Sequence, residues 1–259
     1  MVDALILAGG QLGEGEPLGA AAMGRPKALM PVAGRPMVDW VIHALDRSCQ
    51  VRHIVLAGLP EHQIPLEHAR LHCIPDAGSM LANIEAGRRA LRRVSEAPGR
   101  ALLCMGDIPL LTPDGVRRYL NACGPQDRDF YYTVVKEGVL EQQFPGSSRT
   151  YIELADGRFA GGDLFLTHVD FNYDRALIQS LIDGRKNVVK VAWRLGARFW
   201  IKAMKRRLST HDVAERLGTI MGLQAQVIHS DDGALAMDVD RLENLRRVEA
   251  ELFKREGMK

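Results

Sequence analysis

The chain has 259 residues, 46% of them apolar and 25% charged, with a formal net charge of +2. That length supports a sizeable core, and a near-neutral total gives no reason to expect a nucleic-acid partner. No apolar run is long enough to span a bilayer, no basic leader precedes the first strand-like run, and Cys49, Cys73, Cys104 and Cys123 form no C-x-x-C pair, so a cytoplasmic protein with free thiols is expected.

The elements follow in chain order. Ala4–Gly9 reads as a buried strand, Pro36–Ser48 as a helix with Pro36 in its first turn, and His53–Gly58 as a second strand. Ala69–Pro75 is a weaker third strand, followed by a helix over Ser79–Val94 and a fourth strand over Ala101–Gly106. Thr112 and Pro113 read as N-cap and first position of the next helix. After Phe130 the pattern changes to a further strand and then two strands joined at Asp156–Gly157, a hairpin signal. Residues 184–211 carry nine Lys/Arg and no acid, together with Trp193, Phe199 and Trp200, and Gly196 is expected to divide that stretch into two helices. A strand over Ala225–His229 and a helix over Arg241–Arg255 close the chain.

Repeated strand–helix alternation with near-continuous apolar strands predicts a mostly parallel twisted α/β sheet, Rossmann-like, with helices on both faces and a helical and hairpin insertion in the second half. One domain over 1–259 is expected, with a nucleotide-binding half over 1–128 and an acceptor half over 129–259. Ligands in such sheets bind beyond the carboxyl ends of the strands. The unusual residues fall there: Leu7-Ala8-Gly9-Gly10 after the first strand and Asp107 after the fourth. Gly9 and Gly10 let backbone N–H groups approach a ligand, or simply make a tight turn. Lys27 is framed by Pro26 and Pro31, which lower the entropy of holding its charge in place. Asp107 reads as a carboxylate for a divalent cation or as a polar strand end. Asp240 stands three residues before Glu243, a D-x-x-E arrangement that also reads as a helix N-cap. Gly78 and Ser79 open a helix, where Ser79 reads equally as a plain N-cap.

Leu7-Ala8-Gly9-Gly10-Gln11, Pro26-Lys27-Ala28-Leu29, Pro31-Val32-Ala33-Gly34-Arg35-Pro36-Met37, Gly106-Asp107-Ile108-Pro109 and Asp238-Val239-Asp240 occur together in this order. The set resembles the sugar-phosphate-type nucleotidyltransferases, and among them the single-domain, GT-A-type group similar to molybdenum-cofactor guanylyltransferase. The resemblance implies nucleotidyl transfer from an NTP to a phosphorylated acceptor, with pyrophosphate leaving and Mg²⁺ (or Mn²⁺) as cofactor. It implies Asp107 and Asp240 as metal ligands, with Asp238 supporting. Leu7, Ala8, Gly9, Gly10, Lys27, Gly78 and Ser79 are the expected nucleotide-binding residues. Arg149, Gly162 and Asp163 are the candidate acceptor-binding residues, although an asparagine is more usual than Asp163. Many relatives carry an arginine in the loop after the first strand; here that loop holds Glu14 and Glu16, and Arg25 is its only cation, so catalytic roles are expected for Lys27 and Arg25.

A phosphate acceptor is already anionic near neutrality, its second pKa being about 6, so the chemistry needs no general base. No His–Asp or Cys–His arrangement is legible that would supply one. Asp238-Val239-Asp240 is also literally D-x-D, so a glycosyltransferase using a nucleotide-sugar is an alternative, as is a catalytically silent nucleotide-binding protein of the same fold. The acceptor is expected to be a phosphorylated small molecule or a lipid-linked phosphate. The basic aromatic stretch reads as a solvated helical face or as a surface for an anionic membrane.

Overall fold

β1 (Val2–Leu7) is buried along its whole length. Its alternate residues enter two separate cores, because successive side chains point to opposite faces of a strand. Ala4 and Ile6 pack with Val41 and Leu45 of α2 (Met37–Arg47) and with Val116 and Tyr119 of α4 (Pro113–Ala122). Leu5 and Leu7 pack with Leu91, Ile84 and Val94 of α3 (Met80–Val94) on the other face. A strand apolar on both faces needs helices on both faces, and this pattern supplies them. The protein is described by a computed structural model, which covers residues 1–10, 12, 18–22, 25–60, 70–96, 99–147, 149–170, 179 and 197–257.

β4 (Val51–Ala57) and β6 (Arg100–Met105) flank β1, both parallel to it, and β5 (Leu71–Ile74) pairs with β4. The chain therefore moves from β1 to one side and then returns to the other. This creates a switch point between β1 and β6, the place where open α/β sheets bind ligands. A small hairpin of β2 (Pro31–Val32) and β3 (Arg35–Pro36) lies between β1 and α2 in the chain. Pro36, expected in the first turn, stands instead at the N-cap position, one residue before α2, and makes no side-chain cap.

The second half supplies the antiparallel part of the expected mostly parallel sheet. β7 (Phe130–Lys136) and β8 (Ile152–Leu154) precede β9 (Gly157–His168), and β8–β9 is the expected hairpin, with Leu154 opposite Gly157. β9 is twelve residues long and inserts antiparallel between β6 and β7, so that Cys104 faces Leu164 and Tyr132 faces Phe165. β10 (Ala225–Ser230) then adds parallel to β7. The sheet order is β10-β7-β9-β6-β1-β4-β5, with β8 on β9.

The helical part of the second half comprises α5 (Glu137–Gln143), α6 (Ala197–Met204), α7 (Thr210–Met221) and α8 (Leu242–Glu256). A four-residue helix over Gly19–Ala22, α1, precedes the lysine loop. Neither α5 nor α7 is among the elements expected from the sequence. α7 is nonetheless strongly punctuated. Ser209 and Asp212 form a capping box at its start, and Gly222 ends it in the left-handed region at φ 67°. Most of the basic aromatic stretch, including Trp193 and Gly196, lies outside the described residues.

Candidate active site

The site begins where β1 ends. Ala8 donates its N–H to the carbonyl of Ala57, and Gly106 donates to that of Leu7, which fixes the chain ends of three neighbouring strands. Gly9 is then crowded from two directions. A Cβ on Gly58, which adopts φ +110°, would lie 2.1 Å from the Gly9 nitrogen, and a Cβ on Gly9 would lie 2.6 Å from Asn83 Nδ2. Gly10 adopts φ +131° with nothing near its missing Cβ. The first glycine is thus required by close approach and the second by backbone conformation.

Beneath Gly9, Asp76 Oδ1 accepts from Asn83 Nδ2 at 2.7 Å and from the Gly78 N–H at 3.1 Å. Asn83 Oδ1 in turn accepts from the Ala77 N–H at 2.8 Å. This clasp shapes the Asp76–Ser79 turn, and Ser79 caps α3 by accepting from Ala82 N–H at 3.2 Å. A cavity of about 270 Å³ results, and it is lined by Leu7, Ala8, Gly9, Gly10, Lys27, Gly78, Ser79 and Asp107. Every expected nucleotide-binding residue lies on its wall. Asp76 and Asn83 also line it. Neither is among the residues expected there, although Asp two residues before Gly at a helix start is a recognisable Asx-turn signal.

Lys27 opens a single 3-10 turn, Lys27–Leu29, held by the Leu29 N–H donating to the Pro26 carbonyl. Its Nζ donates to Asp107 Oδ2 at 2.6 Å and also to Asp240. Burial alone would depress this ammonium's pKa, but the carboxylates of Asp107 and Asp240 more than reverse it and hold it above the usual lysine value. The lysine therefore stands charged between the glycine cavity and the acidic cluster.

Asp107, Asp238 and Asp240 each place a carboxylate oxygen within 4.8 Å of the others. The loops that carry them are joined by the Val239 N–H donating to the Asp107 carbonyl at 3.0 Å. Asp240 is not the helix cap that its D-x-x-E spacing suggests. Arg241 occupies the N-cap position of α8, and the Asp240 carboxylate turns to Lys27. Asp238 is paired with Arg149, a candidate acceptor residue, and both side chains are largely buried. Hard carboxylate oxygens converging beside this cavity suit Mg²⁺ or Mn²⁺.

The remaining candidates are placed differently. Arg25 is exposed and does not line the cavity. Gly162 is buried, and a Cβ there would lie 2.7 Å from Thr133 and 3.1 Å from the Leu235 carbonyl, so its lack of a side chain serves packing. Asp163 is 8% exposed and close enough to Cys104 that, after burial, its charge raises the thiol's pKa, with Asp107 adding to the effect. A larger groove of about 970 Å³ lies between α7 and β10, but it holds none of these residues. His211, Asp212 and Glu215 cluster there, with Asp212 already committed to Ser209 and Lys202.

A switch-point crevice in a mostly parallel sheet, lined by a glycine loop and joined through one lysine to paired aspartates, defines a nucleotidyltransferase-type domain of GT-A-like architecture. Residues 4–210 match the MobA-like NTP transferase domain, and the chain belongs to that family. A solved structure described as a hypothetical transferase from Thermus thermophilus superposes with a TM-score of 0.79 at 32% identity, covering 95% of this chain and 100% of that one. The 4-diphosphocytidyl-2C-methyl-D-erythritol synthase of Anaerococcus prevotii shares the fold, with a TM-score of 0.57 at 11% identity over 97% of each chain. The bifunctional protein GlmU of Rhodospirillum rubrum is 34% identical over 97 residues, which is 38% of this chain and 22% of that protein. The chain thus matches less than a quarter of that curated relative.

Proposed function

We propose that this protein transfers a nucleoside monophosphate from an NTP to a phosphorylated acceptor, a small molecule or a lipid-linked phosphate, with release of pyrophosphate. The observation that carries the reading is the position of Lys27, whose ammonium lies on the cavity wall and hydrogen-bonds Asp107 and Asp240. One side chain thereby joins the place for phosphates to the place for a divalent cation.

The backbone around Gly9 and Gly10 binds the phosphates of the NTP, because only glycine leaves the N–H groups uncovered there. Lys27 supplies positive charge as the bond to the leaving pyrophosphate lengthens. Asp107 and Asp240 would hold Mg²⁺ or Mn²⁺, with Asp238 beside them, and the ion would supply neutralisation of phosphate charge. Ser79, at the N-terminal end of α3, and the Asp76–Asn83 clasp shape the far wall of the cavity. No residue of the chain needs to remove a proton from the acceptor, since its phosphate oxygen is already anionic.

Pyrophosphate release, measured with each of the four NTPs, Mg²⁺ and a panel of phosphorylated acceptors, tests the reading. Activity with one NTP that is lost in Lys27→Ala and Asp107→Ala is the expected result. Release that persists unchanged in both variants overturns it.

A further inference from the structure

The basic stretch that precedes α7 is the feature the proposed reaction leaves unused, and its described part is built as a surface. β9 runs antiparallel to β6, with Cys104 opposite Leu164, so the residues before Leu164 extend beyond the carboxyl end of β6. The β8–β9 turn therefore lies at the same end of the sheet as Gly9 and Asp107. The segment after α6 is tied to β8 and its turn: Ala155 donates its N–H to the Leu208 carbonyl at 2.8 Å, and Arg206 pairs with Glu153 at 3.6 Å.

Large apolar side chains are rarely exposed in this protein. Among the described residues only six are, and three of them belong to this corner: Ile152 at 63%, Ile201 at 47% and Met204 at 76%. A fourth, Leu242, follows Asp240 by two residues. Ile201 and Met204 are three residues apart and so share a helix face. Lys202, Lys205, Arg206 and Arg207 are exposed around them. Lys202 and Arg206 are paired with Asp212 and Glu153, whereas Lys205 and Arg207 form no ion pair among the described residues.

We infer that α6 and the turn after it form a docking surface for an anionic lipid bilayer, with the active-site end of the sheet facing that bilayer. Exposed apolar side chains interleaved with cations match an interface that is apolar within and negatively charged at its headgroups. A polyanion such as RNA would reward the cations alone and leave Ile201 and Met204 in water. The surface is peripheral, since no helix among the described residues is long and apolar enough to cross a membrane.

Co-sedimentation of the full chain with vesicles of phosphatidylcholine containing roughly a third phosphatidylglycerol tests this, at low salt and against pure phosphatidylcholine vesicles. Binding to the anionic vesicles alone is expected. It should fall about 5-fold for each cation removed in Lys205→Gln and Arg207→Gln, and about tenfold in the double variant Ile201→Ser, Met204→Ser. All four side chains are exposed and outside the proposed catalytic groups, so circular dichroism and pyrophosphate release with a soluble acceptor should not change. Absence of binding to anionic vesicles overturns the inference. So does binding that ignores the loss of Ile201 and Met204, or that is matched on RNA with the same dependence on charge. None of these outcomes bears on nucleotidyl transfer itself, which the soluble assay reads separately.

Discussion

Lys27 stands where a divalent cation is expected to bind, so removing its charge should act in opposite directions on two measurements. In Lys27→Met the carboxylates of Asp107, Asp238 and Asp240 remain, with one oxygen from each within 4.8 Å of the others. Two unit charges at that separation repel by about 3.5 kcal/mol at an effective dielectric of 20 and about 0.9 kcal/mol in water. Asp240 is 59% exposed at its side chain, which pulls the figure toward the aqueous end, to roughly 1–2 kcal/mol. That repulsion is relieved by any divalent cation, and the competing ammonium is gone. Titration of Mn²⁺ into the nucleotide-free protein, followed by calorimetry or by the spin signal of free Mn²⁺, should therefore give about 5- to 30-fold tighter binding in Lys27→Met than in wild type. Pyrophosphate release should fall by about 10²–10³-fold in the same variant, the usual cost of losing one charge-stabilising donor. Equal Mn²⁺ affinity in the two proteins would refute the reasoning, because Lys27 would then not be occupying the cation position. Near-normal turnover would refute its role toward the phosphates.

Gly9→Ala should weaken NTP binding and lower the melting temperature, since its methyl group displaces the Asp76–Asn83 clasp at a cost of about 1–3 kcal/mol; unchanged values in a thermal-shift titration would contradict the crowding described. Asn83→Ala should cost a similar 1–3 kcal/mol by leaving the Ala77 N–H unpaired and Asp76 Oδ1 with only the Gly78 N–H, which denaturant unfolding measures. The hydrogen bond and charge of Lys202, with the Ser209 N–H, hold Asp212 at a pKa of about 2, below its unfolded value. Its contribution to stability is thus complete above pH 4 or so and is lost as pH falls toward about 2; Asp212→Asn should lack that part of the acid transition in pH-dependent melts. Iodoacetamide at pH 8 should modify the exposed Cys49 well before Cys123, whose thiol burial pushes up to about 12, as peptide mass spectrometry would show.

The first half of the fold was legible because its signals are local. Apolar runs such as Ala4–Gly9 and caps such as Ser79 and Thr112 declare themselves within a few residues, and the structure places both caps at helix starts with their side chains accepting from Ala82 and Gly115 N–H. Motif spacing likewise located the glycine loop, Lys27 and Asp107. Long-range pairing was not legible. Nothing within Gly157–His168 states that it will insert antiparallel between β6 and β7, because that choice depends on which edge is open when it arrives. Asp240 illustrates the limit well. Its local spacing suggests a cap, but an ammonium 213 positions away competes for the carboxylate and holds it. Arg149 and Asp238 were expected separately, one toward the acceptor and one beside the metal ligands, and their pairing emerges only from the folded arrangement.

The contacts of Lys27 span separations of 80 and 213 residues. A loop-closure cost accompanies each, and both must be met before the cluster exists. The cavity, by contrast, draws its walls from β1, the Lys27 turn, the Asp76–Ser79 turn and the end of β6, all within the first 107 residues. The wall assigned to the nucleotide is thus built by one early stretch of chain, whereas the carboxylates assigned to the cation come from distant parts of the sequence. In the proposed reaction, metal affinity would consequently report complete folding more sharply than nucleotide affinity.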